Sequence, residues 1–249
     1  MSRLKVVAIS SSPRSKSITD KVLDTFLEGM EDKVEVTKFY PQKMKIRPCL
    51  GCWDCWLKTP GKCSQKDDMH QILERIDKDD VIIFASPLYI FGLNAQMKTV
   101  LDRIIPILEC DIALDEHGHC IHKRRNSESQ KALLISTCGF FESDNFDLIK
   151  AHFDTLCKHA GMENTGHILI PASGSTLMPK MFDEQWKLIK QAGTEFIEKG
   201  KLSTELMSNL SKPVMDKDKY IEIVNMSFKK GLVNKAKMMF EVIKESMHS

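Results

Sequence analysis

Apolar positions along the chain fall into two alternating rhythms, short continuous runs and longer stretches spaced three and four apart. Leu4–Ile9 is a β-branched run ending in Ser10-Ser11-Ser12-Pro13, the pattern of a buried strand feeding a loop. After Ser17, the residues Val22, Leu23, Phe26, Leu27 and Met30 keep helical spacing. Val34–Phe39 reads as a second strand. Asp67 and Asp68 precede Met69, Ile72, Leu73 and Ile76, an inward helix face whose acidic start suits the helix dipole. The run "VIIFA" from Val81 to Ala85 is continuous, as in a parallel sheet buried on both faces. Leu93–Ile105 reads as a helix closed by Pro106. Ala132–Thr137 gives a fourth strand. Phe146–Ala160 is a helix stopped at Gly161, and residues 167–170 form a fifth strand. This alternation predicts an α/β fold: a five-stranded parallel sheet in the order 2-1-3-4-5 with helices on both faces. Ligands are then expected in the loops beyond the strand carboxyl ends, near the switch between the first and third strands.

Two segments fall outside the alternation. Residues 110–130 are polar, carry His117, His119 and His122, and read as a lid or subunit contact. Beyond about Ser175 the spacing is helical only. Phe182–Gly200 is one candidate, and a stripe runs through Ile221, Val224, Phe228, Leu232, Ala236, Met239, Phe240, Ile243 and Met247. The expected organisation is a sheet domain over residues 1–175, with a cysteine loop at 48–63 and an insertion at 110–130. A helical C-terminal extension over 176–249 follows it.

Composition narrows the function classes. The 249 residues are 42% hydrophobic and 28% charged, which fits a globular protein with a substantial core. A formal net charge of +2 gives no basic field for nucleic acid. No apolar run approaches the roughly 20 residues of a membrane span. "LKVVAIS" reads as a first strand, not as a leader, so a cytoplasmic location is expected. In a reducing compartment, clustered cysteines are metal ligands or redox groups more often than disulfides.

The loop after the first strand, "SSSPRSKSITD", offers the hydroxyls of Ser10, Ser12, Ser17 and Thr19 and the guanidinium of Arg14. A helix starting near Ser17 adds free N–H groups and a positive dipole end, so the loop suits a phosphomonoester. It has neither the Walker A spacing nor G-x-G-x-x-G, which argues against NTPase and Rossmann readings.

This loop resembles the S-P-R-x-x-(S/G)-N-(S/T) loop of the NADPH-dependent FMN reductase family. "ASPLYIFGLNAQMKTVLDR" is similar to that family's second flavin loop and its K-x-x-x-D-R helix, and "STCGF" resembles its third loop. "PCLGCWDC…GKC…DDM" matches the iron–sulfur flavoproteins within the family and their cysteine-containing relatives. The likeness covers about residues 4 to 175. One departure is Ser17-Ile18, where the family often carries Gly-Asn. The resemblance implies a flavodoxin-like fold that binds FMN. The phosphate would lie on Ser10, Ser12, Arg14, Ser17, Ile18 and Thr19. The ring would lie between Pro87, Leu88, Tyr89, Ile90 and Phe91 on one side and Thr137, Cys138, Gly139 and Phe140 on the other. It implies NAD(P)H as co-substrate, a small electron acceptor such as a quinone or flavin, and a homo-oligomer, dimer or tetramer. Flavin chemistry is the cofactor's own, so no catalytic acid or base is nominated. Lys98, Asp102 and Arg103 are expected to brace the fold or a subunit contact.

Cys49, Cys52, Cys55 and Cys63 stand at the spacing C-x2-C-x2-C-x7-C. The compact triple fits bacterial ferredoxin spacing, and Thr59-Pro60-Gly61 is a turn that brings Cys63 back toward it. A [4Fe–4S] cluster, a zinc ion and a metal-free loop all remain open. The cluster reading carries an alternative function, an electron-transfer iron–sulfur flavoprotein serving a ferredoxin-like partner. A redox-sensing module is a third. Cys110 and Cys120, with the three nearby histidines, form a second and weaker candidate metal group.

Overall fold

The computed structural model describes residues 3–126, 130–174 and 179–246. In chain order the elements are β1 (Leu4–Ser10), α1 (Ile18–Gly29), β2 (Val34–Phe39), α2 (Asp54–Leu57), α3 (Met69–Lys78), β3 (Val81–Tyr89), β4 (Gly92–Leu93) and α4 (Ala95–Asp102). They continue with β5 (Leu108–Leu114), β6 (Cys120–Arg124), β7 (Gln130–Thr137), α5 (Asp147–His159), β8 (Met162–Ile170), α6 (Pro179–Lys199), α7 (Thr204–Leu210) and α8 (Lys217–Ser246).

The parallel strands run in the order β2-β1-β3-β7-β8, the order 2-1-3-4-5 read from the sequence. Register decides where their ends fall. Ser10 of β1 pairs with Ala85 of β3, and Pro87 of β3 pairs with Thr137 of β7. The three loops that follow therefore leave the sheet at one edge. Side chains alternate between the two faces along each strand. Val7, Ile9, Ile82, Phe84 and Leu134 pack with α3, α4 and α5. Val6, Ala8, Val81, Ile83 and Ile135 pack with α1, α6 and α7. On that second face, a Cβ on Gly29 would lie 1.9 Å from the Lys190 carbonyl oxygen, and one on Gly193 2.1 Å from that of Phe26. Only glycine lets α1 and α6 approach so closely.

Three local readings change. Leu93–Ile105 is not one helix. Asn94 accepts the N–H of Met97 as N-cap, so α4 begins at Ala95 and ends at Asp102, followed by a short 3-10 turn at Ile105–Ile107. The insertion at 110–130 contains the β5–β6 antiparallel hairpin, turned at Gly118 (φ +78°) with Asp115 accepting the N–H groups of His117 and His119. Its alternating apolar residues, Ile112 and Leu114, are exposed, so no burial pattern marks it in the sequence. The fifth strand begins at Met162, well before the apolar residues at 167–170. The expected stripe from Ile221 lies on α8, but from Leu232 onward its side chains fall outside the described residues, as do residues 127–129 and 175–178. Among the described residues no helix is long and apolar enough to cross a membrane.

Candidate functional site

The loop after β1 is built on buried serines. Ser11 donates its N–H (2.9 Å) and its hydroxyl (3.2 Å) to the Ala85 carbonyl, which pins the loop to β3. The Ser10 hydroxyl donates to the Asp20 carboxylate and is therefore engaged in holding the loop. Ser17 caps α1 by accepting the Asp20 N–H at 3.1 Å. The Ser12 hydroxyl is different: it is buried and has no hydrogen-bond partner among the described residues. Such a group is costly unless something binds it. Arg14 and Lys16 stand exposed beside it, Lys16 at φ +54°. Ile18 is half-buried, and Thr19 Oγ1 lies 2.8 Å from Thr137 Oγ1, joining the first loop to the third. A buried orphan hydroxyl, two free cations and a helix N-terminus together fit a monophosphate.

The second loop is a tight hairpin. Leu88 pairs with Leu93 and Tyr89 with Gly92, which leaves Ile90 and Phe91 as the two turn residues, at φ +46° and +60°. That is the type I′ geometry, normally given to Asn-Gly. For a β-branched residue such as Ile90 it is strained, by roughly 1–3 kcal/mol. Ile90 is 93% exposed, while Tyr89 and Phe91 are about half covered and Pro87 is buried. Asn94 anchors the hairpin: its side-chain N–H donates to the Ser11 carbonyl at 2.6 Å, and its backbone N–H donates to the Ser86 hydroxyl.

In the third loop Cys138 is buried, and burial raises its thiol pKa. Its N–H donates to the Ile170 carbonyl at 2.9 Å. Phe140 is exposed, and a Cβ on Gly139 would meet nothing within 4 Å, so the backbone there is open to a ligand. From the far side, Tyr220 near the start of α8 donates its hydroxyl to the Gly139 carbonyl at 2.5 Å, and its ring packs near Phe141. Three exposed aromatics, Tyr89, Phe91 and Phe140, thus lie on the second and third loops, which leave the sheet at the same edge as the loop carrying Ser12.

The cysteine loop is held at its neck. Cys49, Cys52, Cys55 and Cys63 line one cavity of about 100 Å³, together with Trp53 and Arg103. All eight cysteines of the chain are free. Burial and the three neighbouring thiols raise the Cys55 pKa. Among the described residues no three His, Cys, Asp or Glu side chains are grouped to hold a single ion. Cys110, Cys120, His117, His119 and His122 are likewise not brought together as an ion site. Trp53 starts α2 in the left-handed region and stacks on Trp56 at 5.0 Å. Trp56 in turn lies 4.6 Å from the His122 ring and donates to the Leu108 carbonyl, docking the loop on the hairpin. Burial alone would raise the Asp67 pKa. Hydrogen bonds from Arg103 and the backbone outweigh it and hold the carboxyl at about 2.

Asn94, Arg103 and Tyr220 are the site-supporting residues missing from the expected set. Asn94 had a signal, a cap residue just before a helical run. Arg103 is expected from its helix motif to brace the fold, which it does through Asp67 and the Arg47 carbonyl, but the motif does not tie it to the cysteine loop. Tyr220 had none, because its partner lies 81 residues earlier in the chain.

The chain is similar to several known proteins. An iron–sulfur flavoprotein of Archaeoglobus fulgidus is 39% identical over 104 residues, 41% of this chain and 46% of that protein. One from Methanocaldococcus jannaschii is 36% identical over 105 residues, 42% of this chain and 53% of that protein. The matches span about half the length of these relatives. In fold, the chain resembles an FMN-dependent NADH-azoreductase from Bacillus anthracis in complex with FMN (TM-score 0.59, 14% identity, 78% of this chain and 99% of that one). It also resembles an NAD(P)H:quinone oxidoreductase from Methanothermobacter marburgensis (TM-score 0.54, 19% identity, 78% and 96%). The family pattern of NADPH-dependent FMN reductases matches residues 4–137, through all three strands whose loops meet at the open edge, and the chain belongs to that family.

Proposed function

We propose that the protein is an FMN-dependent oxidoreductase that takes hydride from NAD(P)H and delivers two electrons to a small acceptor, a quinone or a free flavin. The observation that carries this reading is the buried Ser12 hydroxyl at the α1 tip, unpartnered among the described residues, at the sheet edge where the loops carrying the exposed aromatics also leave. Ser12, Arg14 and the α1 N-terminus bind the phosphate. Ser10, Ser17 and Thr19 hold that loop in shape, with Ile18 packed beside them. Pro87, Leu88, Tyr89, Ile90 and Phe91 form one wall for the ring, and Thr137, Cys138, Gly139 and Phe140 form the other. Bound FMN would supply the chemistry: hydride from the nicotinamide would bring both electrons and one proton, and a quinone would leave as quinol after taking these and a second proton from solvent. The protein orients the rings and excludes water, and no side chain is assigned as acid or base. The test is anaerobic: FMN titration of the apoprotein, then NADPH or NADH oxidation with a quinone. Failure to bind FMN overturns the reading. The working form is taken to be a cytoplasmic homo-oligomer, dimer or tetramer.

A second reading adds an iron–sulfur group and a ferredoxin-like partner. It is favoured by the four thiols lining one cavity, with the compact spacing of the first three matching that of bacterial ferredoxins. Cys49, Cys52, Cys55 and Cys63 would hold a [4Fe–4S] cluster, and the matched relatives from both archaea are named iron–sulfur flavoproteins. The cavity and the flavin edge lie at opposite ends of α4, a helix of eight residues and so about 12 Å long. Iron and sulfide assays on anaerobically reconstituted protein test this reading. A protein with bound FMN and no iron would reject it.

A further inference from the structure

Between the two stems of the cysteine loop lies a fully buried cation that the reactions above do not use. Arg103, directly after α4, has a side chain 0% exposed, and its partner Asp67 is 5% exposed. One terminal nitrogen of Arg103 donates to the Arg47 carbonyl at 2.7 Å, just before the loop, and to Asp67 Oδ2 at 2.9 Å, just after it. The other donates to Asp67 Oδ1 at 2.9 Å. Asp67 also accepts the Arg47 N–H at 3.0 Å, and Gln65 donates to the Pro48 carbonyl at 3.0 Å. Entry and exit are therefore tied together around one guanidinium. Its remaining nitrogen, Nε, is buried and has no well-formed hydrogen bond among the described residues. Arg103 also lines the cavity that the four cysteines surround. A buried donor without an acceptor is unfavourable, and one on a charged group more so. The cavity wall beside Arg103 carries the four cysteines together with Ser64, Asp102 and apolar side chains, and among the thiols it is Cys63 whose side chain interacts with Arg103.

We propose that Arg103 is the positioning residue of the four-cysteine site, clasping the loop stems through Asp67 and the Arg47 carbonyl while turning its Nε–H and its charge toward the thiolates of the cluster. The proposal rests on the iron–sulfur reading. A cluster with four thiolate ligands is anionic, and accepting one electron makes it more so. A fixed cation alongside favours the reduced form and raises the midpoint potential. Asp67 has the opposite sign and should act in the opposite direction.

The experiment uses full-length protein reconstituted anaerobically with FMN, iron and sulfide, in wild-type form and as Arg103→Gln, Arg103→Lys and Asp67→Asn. Iron and labile sulfide are counted per chain, and the one-electron midpoint is measured by dithionite titration followed by electron paramagnetic resonance. Both Arg103 variants are expected to shift the midpoint downward, Gln more than Lys, and Asp67→Asn is expected to shift it upward. Wild-type protein without iron overturns the iron–sulfur reading and this proposal with it. Iron-loaded variants at the wild-type midpoint overturn this proposal alone, as does a downward shift in all three, which a purely structural clasp would give. If neither Arg103 variant folds, Asp67→Asn decides: an upward shift supports the assignment, and an unchanged or lower midpoint overturns it.

Discussion

Ser10, Pro87 and Thr137 reach a common edge because three hydrogen-bonded strands deliver them there, each in register with the next. Cys49, Cys52, Cys55 and Cys63 are placed by no strand. They sit on a loop that is tied at its neck by Arg103, Asp67 and Gln65 and leans on the hairpin through Trp56. The flavin edge is thus a property of the sheet, and its shape survives while the sheet does. The cysteine cavity is a property of a few polar contacts, and one substitution should loosen it while leaving the sheet in place. The contrast shows two ways of holding a loop: strand ends in register fix the first, and a polar clasp at the neck fixes the second.

Asp67→Asn should break the contrast most strongly. Removing the carboxylate from a buried pair leaves the Arg103 charge uncompensated, and urea unfolding at pH 7 should show a loss of about 3 kcal/mol. The acid limb gives the sign. The Asp67 carboxyl is held down, from an ordinary value of 3.8 to about 2. Its contribution is therefore complete above pH 4 and lost as pH falls toward 2, a span worth about 2 kcal/mol. That limb should flatten in the variant. An unchanged limb would mean that the clasp is not what holds the neck.

Ser12→Ala addresses the other site. It removes a buried hydroxyl that nothing among the described residues satisfies, so the melting temperature of the apoprotein should stay level or rise. The FMN dissociation constant should rise about tenfold, the value of one hydrogen bond to a charged group. Equal affinity by fluorescence titration would remove Ser12 from the phosphate site. Tyr220→Phe should cost about 1 kcal/mol in the apoprotein, since the Gly139 carbonyl loses its donor. It should also weaken FMN binding a few-fold without touching the iron content. Ile90→Asn should have the smallest effect, a gain of about 0.5 kcal/mol, because asparagine tolerates the left-handed turn better than a β-branched residue. If that gain comes with weaker FMN binding, the strain at Ile90 belongs to the site.

The sheet was legible because β1, β3 and β7 are apolar on both faces, a signal that does not depend on distant partners. The loop between β1 and α1, with Ser17 before the helix, was legible from its serines and proline after an apolar run. The β5–β6 hairpin was not, because Ile112 and Leu114 alternate without being buried. The Ile90-Phe91 turn was hidden because the residues that usually announce such a turn are absent. The four cysteines could be read as a group, but Arg103 as their neighbour could not, since its contacts with residues 47 and 67 exist only once α4 and the loop stems have packed. Ser10 was expected to face the phosphate, and the structure turns its hydroxyl to Asp20 instead. That contact with Asp20, ten residues on, is invisible in a one-dimensional pattern.

The side-chain-free crossing of Gly29 and Gly193 reaches further than its own few atoms. Gly29 ends the helix whose other end is the proposed phosphate site, and Gly193 lies in a helix from beyond the segment that the family pattern covers. A chain cut short after β8 would keep every residue of the three loops and still lose its grip. The α1 rod would no longer be wedged from behind, and its tip would drift from the edge it serves. Residues that never meet the ligand thereby set the height at which it is held.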